Sequence, residues 1–335
     1  MRRGTVIVLG LLLAIALAGG GGPGAGGAAR SNLLYAFNAG SKDVSIIDME
    51  SNTKVGTKKL GAAVRWLSNE QDFYDGHLAW TYENLDDGQV DMLAIDLGLM
   101  KVVKRIRLGA GPGFSVVLSR DRTRALADVA GDNKIAVVDT KAFKVIQRIS
   151  VGMFPCDLDN TRDGHFAYIP ERDQDTVAML DMRTLRVVRR VDMGKHTEPH
   201  MLRVSRDDKG VWVANAEANS VVVLDAKTLR PLAKIAMGKV PVTLAFTPDH
   251  RFAYVSHYED NFVSVVDTGT YKEVGRIKVA QGLAVVAFRP DGKFAYVAAI
   301  NANAVAVIDT DSRKVVKMIP AGTTPFGLIA APAPP

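Results

Sequence analysis

The sequence predicts an all-β fold, a seven-bladed β-propeller of four-stranded antiparallel blades, and three observations carry that prediction. An aspartate ending an apolar run recurs at Asp48, Asp96, Asp139, Asp181, Asp225, Asp267 and Asp309, at spacings of 48, 43, 42, 44, 42 and 42 residues. An aromatic residue or leucine stands 13 residues before it in six of the seven units: Tyr35, Leu126, Tyr168, Trp212, Tyr254 and Tyr296. A glycine closes six units, at Gly61, Gly109, Gly152, Gly194, Gly238 and Gly322, with Ala280 as the exception. A period of about 40–45 residues with four strand-length runs per unit marks a propeller blade.

The sixth unit shows the pattern most plainly. Val242–Phe246 is an apolar run closed by the turn residues Thr247-Pro248-Asp249-His250. Phe252–Ser256, Phe262–Val266 and Val274–Val279 follow, each of strand length and rich in β-branched and aromatic residues. Four such strands joined by short turns form a meander that cannot cover both of its own faces, so neighbouring units must do it.

Taken in order, Leu33–Phe37, Val44–Ile47 and Val55–Lys59 supply three strands of the first blade. Its inner strand is missing there and is supplied by Pro325–Ala331 at the other end of the chain, which closes the ring. The second unit is irregular. Val64–Leu67 is its inner strand, Asn69–Gly76 a polar turn and His77–Tyr82 the second strand. Trp80 takes the anchor position, displaced by the longer loop Asn84–Gln89. The remaining inner strands are Phe114–Leu118, Asp157–Asn160, His200–Val204, Val242–Phe246 and Leu283–Phe288. Alternating strand direction puts the loop entering each inner strand and the loop between strands two and three on one face of the disc. That set varies in sequence, and variable loops on a rigid scaffold are where function usually lies.

On that face, Gly194-Lys195-His196-Thr197-Glu198-Pro199-His200 has two more residues between Gly and Pro than Gly152–Pro155 or Gly238–Pro241. If the segment is extended, His196, Glu198 and His200 share one side and form a candidate metal or haem-iron ligand set; the alternative is a solvated rim loop. The ends of the second strands carry Asn38, Glu83, Val129, Glu171, Asn215, His257 and Ala299. Glu171, Arg172, Asn215, His257, Tyr258 and Glu259, with Arg65, are the candidate ligand-binding residues of a mouth at blades four to six. The competing reading is that the Asn and Glu side chains satisfy loop backbone groups. Cys156, the single cysteine, precludes an intrachain disulfide and reads as a small buried residue.

Residues 1–18 read as a signal peptide: Arg2 and Arg3, an apolar run Val6–Ala18, and a small-residue pattern at Ala16-Leu17-Ala18; the alternative is an uncleaved anchor in which Gly19–Gly27 extends the apolar stretch. Residues 19–31 form a Gly/Ala-rich linker and 32–335 the propeller. The chain is therefore expected outside the cytoplasm, periplasmic or extracellular, as a monomer without an integral membrane domain once cleaved. The net charge of +6 is spread over the fourth strands, where Lys and Arg protect sheet edges. Exposed aromatics beside those cations are few, which argues against nucleic acid as a partner.

Tyr35-Ala36-Phe37-Asn38, Trp212-Val213-Ala214-Asn215, Tyr254-Val255-Ser256-His257 and Tyr296-Val297-Ala298-Ala299, each followed by a Val-x-Val-type run ending in Asp, resemble the Y-V-T-N β-propeller repeat family. The resemblance implies the fold over residues 32 to about 331, and it spans binding modules, surface proteins and cofactor-bearing redox proteins. The expected function is a non-catalytic, exported scaffold whose mouth takes a small ligand or protein partner. The first alternative is a redox-associated propeller holding a metal or haem-type cofactor, since Gly194-Lys195…Pro199-His200 loosely resembles the corresponding loop of haem d1 propellers. A lactone or ester hydrolase and a single-stranded nucleic-acid binder are further alternatives. No nucleophile elbow, phosphate loop or Cys-x-x-Cys-His motif is present.

Overall fold

The computed structural model describes residues 33–65, 73–75 and 77–331. The signal peptide and linker expected over residues 1–31, and Trp66 with residues 67–72 of the second unit, lie outside the described residues.

Seven antiparallel sheets follow one another along the chain. The first is made of Leu33–Asn38, Asp43–Asp48 and Thr53–Lys59 with Pro325–Ala331 added on the inside. The terminal strand pairs with Leu33–Asn38 from Leu33 opposite Ala331 to Asn38 opposite Pro325, so the expected ring closure is present. Among the described residues the second blade has three strands, Leu78–Asn84, Gln89–Asp96 and Lys101–Ala110. Its inner strand is represented by a single bridge between Val64 and Glu83. Trp80 faces Ala94, two residues before Asp96. Tyr254 likewise faces Val265, two before Asp267, so Trp80 is the anchor of its blade.

The repeating aspartate has a local cause. In Asp139, Asp181, Asp225 and Asp267 one carboxylate oxygen accepts the backbone N–H groups two and three residues later. This side-chain turn closes the connection between strands three and four. Four residues after each of the seven aspartates the backbone turns left-handed, at Asn52, Met100, Phe143, Leu185, Leu229, Tyr271 and Arg313.

Neighbouring blades bury one another. Seven apolar clusters fill the seven spaces between blades, and the one joining the ends of the ring mixes Leu34, Ile47 and Met49 with Tyr296, Val305 and Leu328. The second and third strands are almost wholly buried, as in Phe252–His257 and Phe262–Asp267. The fourth strands alternate and face solvent. Each fourth strand also carries a β-bulge where the register against strand three slips by one residue. The bulged residues are Val55, Val103, Ile146, Val188, Leu232, Val274 and Val316, all exposed. A bulge bends and twists the outer strand away from a flat pairing edge.

Deleting residues 325–335 removes the inner strand of the first blade and the buried side chains of Phe326, Leu328 and Ile329. At about 1.5–3 kcal/mol for each of those side chains, the melting temperature is expected to fall by roughly 10 °C or more. Circular dichroism melts of the two chains check this; equal midpoints would refute closure by the terminal strand.

Candidate functional site

The ends of the second strands come first, because the sequence placed a ligand-binding ring there. Each pairs with the start of its own inner strand: Glu171 with Pro155, Asn215 with Pro199, His257 with Pro241. They lie on the expected face, yet Glu171, Asn215 and His257 are fully buried. The incoming loop of the same blade roofs them over. Glu171 accepts the Gly152 N–H at 2.6 Å, the Thr176 hydroxyl at 2.6 Å and the Arg190 Nε at 3.0 Å. A Cβ at Gly152 would stand 2.5 Å from the Glu171 carboxyl carbon, so the close approach requires glycine. Glu83 likewise accepts the Ala63 N–H at 2.7 Å and pairs with Arg105. His257 Nε2 lies 2.9 Å from the Ser264 hydroxyl, which donates to Glu273 at 2.7 Å, and Glu273 holds Arg276. The expectation that Glu171, Asn215 and His257 meet a ligand is corrected: they sit beneath the rim, and Glu171 and Glu83 pin its loops. Arg65, Tyr258 and Glu259 are exposed and Arg172 is partly so.

The candidate metal set is corrected as well. His196 and Glu198 both have left-handed backbone, φ 58° and 50°, so the segment is not extended and only Pro199 onward is strand. Asp175 causes the wrap. Its carboxylate accepts the N–H groups of His196, Thr197 and Glu198 and the Thr197 hydroxyl, all at 2.9 Å. Against the upward push of burial, these bonds hold the Asp175 carboxyl below its ordinary range. Asn133, Asn219 and Asn303 occupy the same place in other blades, and each accepts one N–H from the next blade's incoming loop. The carboxylate in the fourth blade gathers three, which accommodates the two extra residues. His196 then points outward, its side chain 82 % exposed and 3.7 Å from Glu217. Among the described residues no three His, Cys, Asp or Glu side chains meet in a metal-binding arrangement.

His200 stays at the mouth, and other residues join it. The Arg172 guanidinium lies 3.9 Å from the centre of the Phe154 ring. Phe154 and Phe114 are 5.8 Å apart, and Phe114 meets the His200 imidazole edge-on at 6.0 Å. Glu198 approaches Arg172 at 3.5 Å. Phe114, Phe154, Arg172 and His200 all keep part of their surface exposed. Three blades therefore contribute to one half-open patch with an imidazole, a guanidinium and two phenyl rings. Burial pushes the His200 imidazole down to about 4, Arg172 adds to the shift, and a hydrogen bond to the Val242 backbone opposes it. The ring is neutral near pH 7. Burial also drives the Cys156 thiol well up; it donates to the His200 carbonyl at 2.9 Å and serves as a buried spacer, not a nucleophile.

Below the patch the inner strands are stitched by buried polar groups that the sequence reading missed. Asp128 accepts the N–H groups of Phe114 and Ser115 at 2.9 and 2.7 Å, fixing the backbone that carries Phe114. Asp157 holds the buried Arg203 at 2.7 Å and the Leu202 N–H at 2.9 Å, and Asp159 accepts the Val204 N–H at 2.8 Å. Burial pushes the Asp159 carboxyl up to about 8, with Arg203 opposing. The available signal was Asp157-x-Asp159 and Arg203 in inner strands where the sixth and seventh blades carry Thr243, Ala245, Val285 and Ala287.

His257 gives a pH prediction. Burial, the leading cause, lowers its imidazole to about 4. The unfolded chain therefore takes up a proton below about pH 6.5 that the folded chain refuses, and stability is lost as pH falls from 6.5 toward 4. His257→Gln removes this penalty. The stability difference between wild type and variant should shift against the wild type by about 2 kcal/mol between pH 7 and 4.5. Urea unfolding at the two pH values measures it; a difference independent of pH would contradict the neutral, buried imidazole.

The family described as the cytochrome D1 heme domain matches residues 114–243. That span runs from Phe114 to the inner strand of blade six and contains Phe154, Arg172, Glu198 and His200. No curated protein matches the chain at the level of sequence. Among solved structures, it is similar to the periplasmic gluconolactonase PpgL of Pseudomonas aeruginosa, with a TM-score of 0.75 and 18% identity over 91% of this chain and 100% of the other. The dihydro-heme d1 dehydrogenase NirN, in complex with DHE, gives 0.65 and 17% over 89% and 75%. Hydrazine synthase of Kuenenia stuttgartiensis gives 0.64 and 18% over 76% and 86%. At these identities the shared property is the propeller fold.

Proposed function

We propose that this propeller binds a haem-type tetrapyrrole at the mouth of blades three to five, with His200 as the iron ligand. The observation that carries the reading is the neutral, half-open His200 imidazole beside Phe114, Phe154 and Arg172, all within the span that matches the cytochrome D1 heme domain. The donor set fits the group. A neutral imidazole has an unprotonated nitrogen for iron; Nδ1 is buried, so ligation requires the ring to turn it toward the mouth, and the hydrogen bond to the Val242 backbone orients the ring. Phenyl rings suit a flat apolar macrocycle, and guanidinium suits its carboxylates. Arg172 is the nearer cation and Arg65, over the Phe326 ring at 5.4 Å, a second on the rim.

When bound, such a group supplies one-electron redox chemistry. The chain's own residues bind and orient: Asp128 fixes the Phe114 backbone, Asp175 shapes the loop leading to His200, and the aromatic rings exclude water from one side. The plain binding scaffold loses support because Glu171, Asn215 and His257 are buried beneath the rim. Its ligand would then be the cofactor itself. The signal-peptide pattern at residues 1–18 supports an exported protein, and among the described residues no helix is long and apolar enough to cross a membrane.

Protein purified from its own host is expected to carry a tetrapyrrole near one per chain by visible absorption. His200→Ala should lose or shift the haem bands while melting near the wild type. His196→Ala, which alters a side chain outside the patch, should keep them. A colourless native protein, or equal spectra for wild type and His200→Ala, would overturn the proposal.

A further inference from the structure

The opposite face of the disc holds a cavity of about 400 Å³ between blades five and six. Its existence follows from a break in the repeat. Blades four, six and seven open their second strands with Phe166-Ala167-Tyr168, Phe252-Ala253-Tyr254 and Phe294-Ala295-Tyr296, but blade five reads Gly210-Val211-Trp212. The glycine leaves the wall open: a Cβ there would lie 3.3 Å from Trp212 Nε1 and 3.4 Å from Ser205 Oγ. Trp212 is 2 % exposed, and it lines the cavity at the wall that Gly210 leaves open. The anchor tyrosines of blades four and seven, by contrast, donate to the neighbouring blade, Tyr168 to the Ala226 carbonyl and Tyr296 to Asn52, both at 2.6 Å.

The rim of the cavity is cationic. Arg162 and Arg206 occupy the same turn position in consecutive blades, after Thr161 and Ser205, and both line it. Among the described residues neither guanidinium has a carboxylate partner. Lys209 is matched by Asp207 at 3.4 Å. His250 lines the same cavity, and its imidazole is pushed down by burial and then by Arg206 and Arg162, with Asp249 and Asp207 opposing. Its Nδ1 is buried without a hydrogen bond. Two guanidiniums on one rim without carboxylate partners suit an anion held between them. The floor is aromatic: Trp212 meets Phe246 edge-on and Tyr271 obliquely, each with centroids 5.7 Å apart. The equivalent cleft between blades six and seven has Asp249, Asp291 and Asp311 on its walls and lacks this excess of cations.

We infer that this cavity is a binding site for a small aromatic anion, its carboxylate or phosphate held by Arg162 and Arg206 and its ring set against Trp212, Phe246 and Tyr271. The site is on the face away from His200 and does not depend on the cofactor reading.

The test titrates the whole protein with phenyl phosphate, benzoate and inorganic phosphate by calorimetry, with tryptophan emission followed in parallel. Expected are saturable one-to-one binding of at least one of the two aromatic anions, weaker binding of inorganic phosphate, and a change of emission lost in Trp212→Phe. Arg162→Gln, at an exposed side chain, and Arg206→Gln, at a half-buried one, should each weaken binding about tenfold with little change in melting temperature. Inorganic phosphate binding as tightly as the aromatic anions would overturn the aromatic half. Absence of saturable binding at millimolar concentrations, or full affinity in both arginine variants, would overturn the site.

Discussion

A four-stranded meander with two apolar faces has no stable existence in water, and every other feature of this chain follows from that constraint. Seven copies arranged in a circle give each face a neighbour. The terminal strand Pro325–Ala331 completes the first blade, so the last apolar space, between Tyr296 and Leu34, closes like the other six. With the faces spent on each other, side chains that can meet a ligand are left to the two rims of the disc, and the polar groups within it are tied to one another and to the backbone. The outer edge is kept from pairing with other chains by seven bulges and by the charged residues of the fourth strands.

The same geometry makes the incoming loops the variable element and sets how they are held. In blades three, five and seven an asparagine in the left-handed position between strands two and three holds one N–H of the next loop. The fourth blade has Asp175 there and the third blade has Asp128 one turn deeper. These carboxylates re-aim the loops that carry His200 and Phe114. The half-open patch at blades three to five is thus a local departure from the repeat, and so is the cavity beneath Trp212 on the other face. Function on a repeat scaffold is to be sought where the repeat is broken.

The fold was legible because its signals are local and repeated. The aspartate has a local cause in its own outer turn, and the anchor aromatic and the glycine recur at a fixed spacing from it, although their contacts reach a neighbouring blade or a strand some twenty residues on. Trp80 was placed correctly despite the longer loop beside it, since the apolar runs on either side kept their order. The site was less legible because it depends on depth and on contacts between blades. Topology assigned His257, Glu171 and Asn215 to the right face, but nothing in a linear pattern tells that the incoming loop covers them. The spacing of His196, Glu198 and His200 suits a strand, and it was Asp175, some twenty residues upstream, that bent the segment. Phe114, Phe154 and Arg203 carry no motif, and their roles emerge only when three blades are brought side by side.

The account rests on the patch formed by His200, Phe114, Phe154 and Arg172 being the working surface of the molecule. A crystal structure of the protein purified from its own host tests this most directly. The account predicts a planar group against Phe114 and Phe154, ligated by His200, with a carboxylate at Arg172. A group bound elsewhere on the disc, or a bare mouth with the His200 ring turned into the interior, would contradict it.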